Sequence, residues 1–356
     1  MNERTDIKSK QHLIGMTRSE LEQFVLSLGE KKFRGRQIYQ WIYQKDARSF
    51  DAMTDLSTNF RDTLPALAEI GHLTCLETRG TEETGSVKYL FRLSDGECVE
   101  SVLIPDENRR TLCVSAQIGC ALNCRFCATA KIGFHRNLTS GEIVDQLLYI
   151  KHATGKPITN VVYMGMGEPF QNYTAVIKAA DLMSDPQGMA TSPRRIVIST
   201  AGIADKIIQF TDEGQKYRLA LSLNSPFQDE RRELMPVTRQ WNLDELLQAA
   251  RYYTRISGNK LTFEYVLFAE LNDTRKHALA LKDILKSVNS KLNLIPYNAV
   301  DDQFKRPGPE KVDQFVQWLL PLKAGLSVRW SRGTDIKAAC GQLAGEENQR
   351  KIQSGR

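Results

Sequence analysis

The sequence predicts an α/β fold whose core is an open, partial barrel of parallel strands with helices outside it. Two observations support this prediction. From residue 111 onward, short segments rich in β-branched residues alternate with helical segments, which is the pattern of a parallel sheet built from βα units. Six such units follow one another, whereas a closed barrel of this kind needs eight. The sheet is therefore expected to stay open.

The first 70 residues favour helices. Thr17, with Glu20 three positions later, forms a capping-box pattern before an apolar helical repeat. The segments 35–44 and 55–67 continue the helical spacing of apolar residues. We therefore predict a small N-terminal helical domain over residues 1–70.

After residue 70 the spacing of apolar residues shortens from that of a helix to that of a strand. The segments 72–79, 87–93 and 98–105 predict short antiparallel strands joined by polar turns. They are expected to form a β extension that leads into the barrel, and the chain is expected to end in a polar tail. The predicted boundaries are 1–70 for the helical domain, 71–110 for the extension, 111–345 for the barrel and 346–356 for the tail.

The βα repeat of the barrel can be assigned segment by segment. Each strand segment is short and apolar, and each helical segment that follows has polar flanks. The strand segments are TLCVSAQIG, NVVYMG, RRIVIST, YRLALSLN, LTFEYVLF, KLNLIPY and, at the edge, LSVRWSRG; the helical segments are 139–155, 171–184, 203–214, 243–257, 273–288 and 309–323.

The composition of the 356 residues, 41% apolar and 25% charged, is that of an ordinary globular enzyme. The net charge of +6 favours an anionic partner. The start MNERTDIKSKQHL has no apolar run, and no stretch approaches about 18 uninterrupted apolar residues, so we predict neither a secretory signal nor a membrane span. The seven cysteines are then expected to be reduced thiols in the cytoplasm, available as metal ligands or catalysts.

Three of these cysteines form an incomplete ligand set. Cys120, Cys124 and Cys127 have a C-x3-C-x2-C spacing directly after the first strand of the repeat, where parallel βα folds collect their functional sites. Zinc could bind them if His135 or a distant cysteine supplied a fourth ligand. A four-iron cluster explains the set better, because three thiolates can hold it and leave one iron open for a small chelating ligand.

This cysteine spacing, with Phe126 before the last cysteine, resembles the radical S-adenosylmethionine (SAM) superfamily. The resemblance implies one 4Fe-4S cluster whose open iron binds the amino and carboxylate groups of SAM. The stretch MGMGEP at 164–169 agrees with it. There Gly167 would let the backbone approach closely, and Glu168 would offer a carboxylate to the SAM ammonium.

Longer motifs narrow the resemblance to one family. They resemble the radical SAM methyltransferases that act on adenine C2 in 23S rRNA and in tRNA, 3′ of the anticodon. A sister family that methylates C8 of the same adenosine shares the catalytic motifs and remains an alternative. The motifs are CVSAQIGCALNCRFCATAKIGFHRNL (113–138), MGMGEP, SPRRIVISTAGI (192–203), LALSLNSP (219–226), ERRELMPV (230–237), IKAACGQLAG (336–345), GEKKFRGRQIYQWIYQK and ECVESVLIP.

The resemblance implies roles for three residues outside the cysteine set. Cys340, in AACGQL, matches the cysteine that takes a methyl group from a first SAM, loses hydrogen to a 5′-deoxyadenosyl radical from a second, and adds to the RNA through that carbon. Cys113 matches the cysteine that then frees the product by forming a transient disulfide with Cys340. Glu100 matches the residue that takes the proton from C2. Without the resemblance, these would be ordinary buried thiols and a strand carboxylate.

The resemblance also implies SAM contacts and partners. Many relatives have His where this chain has Asn224, which can still form hydrogen bonds. The implied partners are 23S rRNA, tRNA and an electron donor such as flavodoxin or ferredoxin, and we expect a monomer. The residues that match SAM contacts are Gly167, Glu168, Ser199, Ser222, Leu223, Asn224 and Asn298.

The run KKFRGRQIYQWIYQK, within the predicted helical domain, suggests RNA binding by its own composition. Cations suit phosphates, and aromatic rings suit unstacked bases. The same run also fits an amphipathic helix whose aromatic residues pack inward. We expect both, with the basic start on RNA and the rings mostly packed. The cations are Lys31, Lys32, Arg34 and Arg36, and the rings are Phe33, Tyr39, Trp41 and Tyr43.

Two other classes of protein remain open from the residues. One is a zinc-dependent RNA-binding module without catalysis, which iron and sulfide in anaerobically purified protein would exclude. The other is a radical SAM enzyme that does not methylate, which would have no use for a thiol such as that of Cys340.

Overall fold

A ten-stranded sheet organises the protein, whose computed structural model describes residues 10–322 and 325–343. The part before the sheet is helical, as predicted. Thr17 caps the first helix: its side chain accepts from the Glu20 N–H while the Glu20 carboxylate accepts from the Thr17 N–H. The elements are β1 (Gln11–His12), α1 (Arg18–Ser27), α2 (Phe33–Tyr43), α3 (Thr58–Leu67) and β2 (Ala68–Glu69).

Three antiparallel strands follow and form one end of the sheet. They are β3 (Thr74–Arg79), β4 (Val87–Arg92) and β5 (Cys98–Asp106), in the order β3-β4-β5. The last of them pairs antiparallel with the first strand of the barrel, so the extension continues the barrel sheet rather than forming a separate layer.

The barrel strands begin at residue 109 and run parallel to one another. They are β6 (Arg109–Cys113), β9 (Asn160–Tyr163), β10 (Ile196–Thr200), β11 (Arg218–Ser222), β12 (Leu261–Leu267), β13 (Ser290–Pro296) and β14 (Gly325–Val328). Two short strands, β7 (Gln117–Gly119) and β8 (Phe134–Asn137), form a separate antiparallel pair between β6 and β9 in the chain.

The order β6-β9-β10-β11-β12-β13-β14 is that of successive βα units laid side by side. In the described part of the chain, β14 pairs only with β13, and β3 forms the opposite edge. The predicted open (βα)6 barrel with a helical N-terminal part and a β extension is therefore confirmed.

Helices cover the outside of the barrel sheet. Asn242 and Thr139 begin two of them with further capping boxes, and Gly258 and Gly155 end the same two in the left-handed conformation. The helices are α4 (Ala128–Ile132), α5 (Ser140–Thr154), α6 (Tyr173–Ser184), α7 (Ala204–Asp212), α8 (Gln228–Leu234), α9 (Leu243–Ser257), α10 (Arg275–Ser287) and α11 (Pro309–Leu319).

Two local predictions differ from the structure. The segment TLCVSAQIG is not one strand: β6 ends at Cys113, and β7 pairs with β8 in a separate two-stranded sheet. Gly119, with φ of +71°, lies where a Cβ would come within 1.6 Å of the Gly133 carbonyl, so this close approach requires glycine. The short helix α8 was not predicted. The predicted tail, 346–356, lies outside the described residues.

No helix in the described ranges has the length and apolar character needed to cross a membrane. The long helices are instead amphipathic, with one buried side. In α9, for example, Leu246, Ala250 and Tyr253 are buried against the sheet.

A buried carboxylate joins the helical N-terminal part to the barrel. Asp145, on α5, accepts hydrogen bonds from the Arg48 guanidinium and from the backbone N–H groups of His72 and Leu73. Its side chain is fully buried, so these donors replace the water that its charge would otherwise need.

We expect Asp145→Ala to lower the free energy of unfolding by about 3–5 kcal/mol, because it leaves a partly buried cation and two N–H groups without their acceptor. Urea unfolding of the wild type and the variant, followed by circular dichroism, measures the change. Asp283→Ala is the control, because Asp283 pairs with Lys286 at an exposed site and its loss should cost under about 1 kcal/mol. Equal losses for the two variants would contradict a structural role for Asp145.

Candidate active site

A cavity opens at the carboxyl ends of the barrel strands. Because these ends meet at one edge of a parallel sheet, residues far apart in sequence reach the same space. The residues predicted from sequence that line it are Cys120, Cys124, Cys127, Gly167, Glu168, Ser199, Ser222, Asn224, Asn298 and Cys340.

The three clustered cysteines reach the cavity from the loop after β7. The Cys120 N–H donates to the Gly133 carbonyl at 2.9 Å, and Cys127 is the N-cap of α4. Burial raises the pKa of Cys120 to about 12 and that of Cys124 well above its usual range. A thiolate at this place therefore needs a nearby positive charge, which bound iron would supply.

The three cysteines line one cavity, and a zinc site there would need a fourth ligand. Four zinc ligands must converge on one point, with sulfurs about 2.3 Å from the metal. Within residues 10–322 and 325–343, no three His, Cys, Asp or Glu side chains converge in that way. His135, the suggested fourth ligand, instead places Nδ1 3.3 Å from Glu97 Oε2. A four-iron cluster needs no common point, because each thiolate binds a different iron.

The MGMGEP turn lies beside the cysteines after β9. Gly167 has φ of +93°, and a Cβ there would come within 2.4 Å of the Gln117 side chain, so the turn requires glycine. The carboxylate of Glu168 accepts from the N–H of Phe170 at 3.0 Å and from that of Ala201 at 2.7 Å. Burial raises its pKa to about 7. The carboxylate is thus fixed inside the cavity.

Of the other predicted SAM contacts, four line the cavity and one, Leu223, does not. Ser199, Ser222 and Asn298 line the cavity. Asn224 also lines it, but its Oδ1 accepts from the Val266 N–H at 2.9 Å, and its residue is left-handed with φ of +57°, a conformation that Asn tolerates well. Leu223 is fully buried and not among the lining residues, so it could contribute only through its backbone.

The two remaining predicted cysteines approach each other. Cys340 is open to the cavity, yet the surrounding walls raise its pKa by withdrawing the thiol from bulk water. Cys113 ends β6, and burial raises its pKa to about 12, with a further rise from the nearby Cys340. The positive charge of Arg329 opposes both rises in pKa, so its guanidinium lies near both thiols. Cys113 and Cys340 are 227 positions apart in sequence but close in space.

Glu100 lies next to this pair but outside the main cavity. It lines a smaller cavity, and its Oε1 is 3.3 Å from Lys88 Nζ. Val102, two residues on in β5, is paired with Cys113 across the sheet, so Glu100 and Cys113 point to the same side of it. Lys88 Nζ also donates to the Lys337 carbonyl, three residues before Cys340.

Sequence reasoning missed several polar residues of the cavity wall. Glu264, on β12, accepts from Asn293 Nδ2 at 2.9 Å through Oε1, while its buried Oε2 has no partner in the described residues. Burial raises its pKa. A glutamate inside the apolar strand LTFEYVLF was the available signal, because a buried strand rarely contains a charge without a function. Nothing in the sequence singled out Arg329.

The rim of the cavity carries an exposed aromatic ring. The Arg306 guanidinium lies 5.7 Å from the centre of the Trp330 ring, and Arg306 also donates to Asn298 Oδ1. Asn298 in turn donates to the Cys340 carbonyl at 3.2 Å. The rim residues are therefore linked directly to the segment that carries Cys340.

The basic run before α2 is only partly available to RNA. Lys32 and Arg36 pair with the largely buried carboxylate of Glu22, at 3.3 and 2.9 Å. Arg34 donates to the Asp55 carbonyl, whereas Lys31 forms no ion pair with any residue that the structure describes. The rings are mostly packed, since Tyr39 and Tyr43 are buried and the Trp41 N–H donates to Asp55; Phe33 is exposed, with the Arg34 guanidinium over its ring.

Two family models match the chain. The Ribosomal RNA large subunit methyltransferase N-terminal domain matches residues 11–70, and the Radical SAM superfamily matches residues 114–281. The structure is similar to the crystal structure of a radical SAM methyltransferase from Sphaerobacter thermophilus, with a TM-score of 0.90 and 39% identity over 94% of this chain and 99% of that chain.

Curated relatives are similar over nearly the whole length. The probable dual-specificity RNA methyltransferase RlmN of Flavobacterium psychrophilum is 41% identical over 95% of this chain and 99% of the relative. The dual-specificity RNA methyltransferase RlmN of Geotalea uraniireducens is also 41% identical, over 96% of this chain and 97% of the relative. The predicted family, and with it a 4Fe-4S cluster and SAM as cofactors, is confirmed. The chain belongs to the RlmN family of radical SAM RNA methyltransferases.

Proposed function

We propose that this RNA methyltransferase acts on C2 of a specific adenosine in 23S rRNA and in tRNA, 3′ of the anticodon. The observation that carries the proposal is the approach of Cys113 to Cys340 beside the cavity that holds the three-cysteine set. A cluster and SAM alone do not need this second pair of thiols. A methyl group that passes through a protein sulfur does need it, because that sulfur must later be released from its RNA adduct.

The target atom explains why the enzyme needs radical chemistry. Adenine C2 is an electron-poor carbon without a nucleophilic lone pair, so direct methyl transfer from SAM cannot reach it. When bound, the cluster and SAM supply a one-electron route to a carbon radical that can add there. The electron would come from a donor such as flavodoxin or ferredoxin, and the adenosine would have to be extruded from its RNA to reach the cavity. The proposed RNA substrates favour a cytoplasmic enzyme.

In the proposed cycle, Cys340 carries the methyl group. Its thiol loses a proton and takes a methyl group from a first SAM, and that methyl then loses a hydrogen atom to the radical derived from a second SAM. The resulting carbon bonds to C2. The adduct would then give up one electron, which balances the electron used to cleave SAM, while Glu100 takes the C2 proton. The Cys113 thiol would lose its proton and attack the sulfur of Cys340, which breaks the bond between that sulfur and the transferred carbon. The freed carbon would take up a proton and become the methyl group. A thiol reductant must then open the Cys113–Cys340 disulfide.

The remaining predicted residues would hold the cofactors. Cys120, Cys124 and Cys127 would each bind one iron, and the Glu168 carboxylate would receive the SAM ammonium. Ser199, Ser222, Asn224, Asn298 and the backbone at Gly167 and Leu223 would surround the rest of SAM. The position of most of these residues on one cavity wall supports the assignment.

Methylation at C8 is the second candidate. The same catalytic residues would serve it, so the choice of C2 rests on similarity to relatives named RlmN. Mapping the methylated atom by mass spectrometry of nucleosides from 23S rRNA and tRNA, in cells with and without the gene, decides between the two. Methyl groups only at C8 would overturn the proposal, as would methylation of neither RNA.

We expect alanine at Cys120, Cys124 or Cys127 to abolish the cluster, because each thiolate would bind its own iron and none is spare. Iron and sulfide analysis of anaerobically reconstituted protein measures the loss. Cys75→Ala is the matched control. Cys75 lies on β3, outside the cavity, so this variant should bind a full cluster. An alanine variant of any of these three cysteines that keeps its full iron content and still cleaves SAM would contradict the assignment.

The variants Cys340→Ala and Cys113→Ala should stop at different steps. Without Cys340 no methyl carrier exists, so the RNA should remain unmodified. Without Cys113 the carbon can still add to adenine, but the sulfur nucleophile that releases it is missing. The Cys113→Ala protein should therefore run as a slow, ribonuclease-sensitive band on a denaturing gel.

Glu100→Ala should also stall after addition, since the C2 proton would have no base. Cys98→Ala is the control, because Cys98 is a buried thiol of the same strand as Glu100.

For the two cysteine variants, normal turnover by Cys113→Ala without covalent RNA would show that the roles given to Cys113 and Cys340 are wrong.

The basic run should contribute affinity for RNA without sequence choice. Replacing Lys31, Lys32, Arg34 and Arg36 by Ala should weaken RNA binding and flatten its salt dependence, because fewer counterions are released. Filter binding at several salt concentrations measures the slope. The single substitution Lys31→Ala should by itself cause much of this loss of RNA affinity, since Lys32 and Arg36 already pair with Glu22.

The control for these changes is the pair Lys286→Ala and Lys311→Ala on the outer helices α10 and α11. These substitutions remove two cations outside the N-terminal part, one exposed (Lys286) and one half-buried (Lys311). If the four-residue variant has the same salt slope as the wild type, the basic run is only a solvated surface.

A further inference from the structure

Arg231 is a fully buried arginine on α8, next to the cysteine loop. The loop and the helix are joined by the Arg125 N–H, which donates to the Leu234 carbonyl at 3.0 Å. Arg125 follows Cys124 directly, so position 231 is about one turn of α8 away from the residue to which the cysteine loop is bonded.

All protein acceptors of this guanidinium are neutral. Its Nε donates to the Leu223 carbonyl at 3.1 Å, and one terminal nitrogen donates to the carbonyls of Ala201 at 2.6 Å and Ser222 at 3.1 Å. The other terminal nitrogen donates to the Thr238 hydroxyl. In the part of the chain that the structure describes, no carboxylate pairs with Arg231. A buried cation without an anion is strongly destabilising, so its charge needs compensation from elsewhere.

Arg231 lies beside the cavity that the cysteine set lines, because Ala201 and Ser222, whose carbonyls accept from its guanidinium, line the same cavity. Burial lowers the pKa of Arg231 to about 10, and the nearby Cys124 opposes this shift. Three thiolates around a four-iron core form an assembly that is negative overall, and one-electron reduction adds a further negative charge to it.

We propose that Arg231 is the fixed positive charge that stabilises the reduced state of the cluster. A buried cation beside the cluster lowers the free energy of the more negative state, and so raises the reduction potential. The potential of an iron–sulfur centre depends on net charge and solvent exposure, and Arg231 supplies charge where water is absent. The inference rests on the assignment of the cluster to Cys120, Cys124 and Cys127, and not on the choice of RNA or of C2.

A purely structural role for Arg231 makes a different prediction. Its hydrogen bonds tie together the ends of β10 and β11, where Ser199 and Ser222 line the cavity. If this were its whole role, replacing it would lower stability and SAM affinity but would leave the reduction potential unchanged. The potential therefore separates the two roles.

The experiment is a reductive titration of the reconstituted protein without RNA, with the reduced cluster followed by electron paramagnetic resonance. Arg231→Gln removes the charge and keeps hydrogen-bond donors. We expect at least a tenfold fall in the ratio of reduced to oxidised cluster at a fixed potential, which corresponds to a midpoint about 59 mV more negative for one electron. Arg231→Lys keeps the charge and should remain within threefold of the wild type.

Arg232→Gln is the matched control, because Arg232 is the next residue, is half exposed and pairs with Asp229. It should leave the titration unchanged. A fully loaded Arg231→Gln protein with the wild-type potential would overturn the proposal. If Arg231→Gln does not load a cluster, loading by Arg231→Lys supports the need for charge, and loss of loading in both variants overturns it. A wild-type protein that titrates normally but does not methylate RNA would count against the proposed function only.

Discussion

The site depends on one electrostatic constraint: its charged groups are placed where water cannot stabilise them. Burial raises the pKa of Cys120 and Cys124 and lowers that of Arg231. Each charge alone would be destabilising, whereas thiolates, iron and guanidinium together would compensate one another. These buried charges therefore destabilise the pocket of the cofactor-free protein, and a bound cofactor would compensate them. Metal loading should contribute to the stability of this region as well as to chemistry.

The fold meets this constraint by bringing the cysteine loop, the helix α8 and polar residues of the parallel strands together around one cavity. Ser222, Glu264, Asn293 and Ser327 are partners in one register across β11 to β14, so their side chains share the inner side of the sheet. A closed barrel of eight units would fill its interior with layers of side chains. An open sheet instead leaves one side accessible, where the segment around Cys340 lines the cavity, while the extension β3–β5 continues the sheet beyond β6.

Sequence reasoning succeeded where the determinants are local and failed where they are distant. Capping boxes and apolar periods predicted the helices closely, as at α9, where 243–257 is also the observed range. The break between β6 and β7 was missed, because the apolar run continues through the point where the chain leaves the sheet. The short helix α8 has a charged sequence, QDERREL, so Arg231 resembles a solvated residue although it is buried. Contact between residues as distant as 113 and 340 has no signature in either segment; only resemblance paired them.

The segment that carries Cys340 connects the two halves of the proposed chemistry. Its backbone is tied to the cysteine loop, since the Ala128 N–H donates to the Gly341 carbonyl at 2.7 Å, and to the rim through Asn298. On its other side, Lys88 contacts both the Lys337 carbonyl and the Glu100 carboxylate. The thiol therefore sits on a fixed main chain between the cofactor cavity and the carboxylate proposed as the base. An adenine bonded to carbon on Cys340 would lie between the two, with Cys113 on the same side of the sheet as Glu100. Addition, proton removal and release could then follow one another without moving the base.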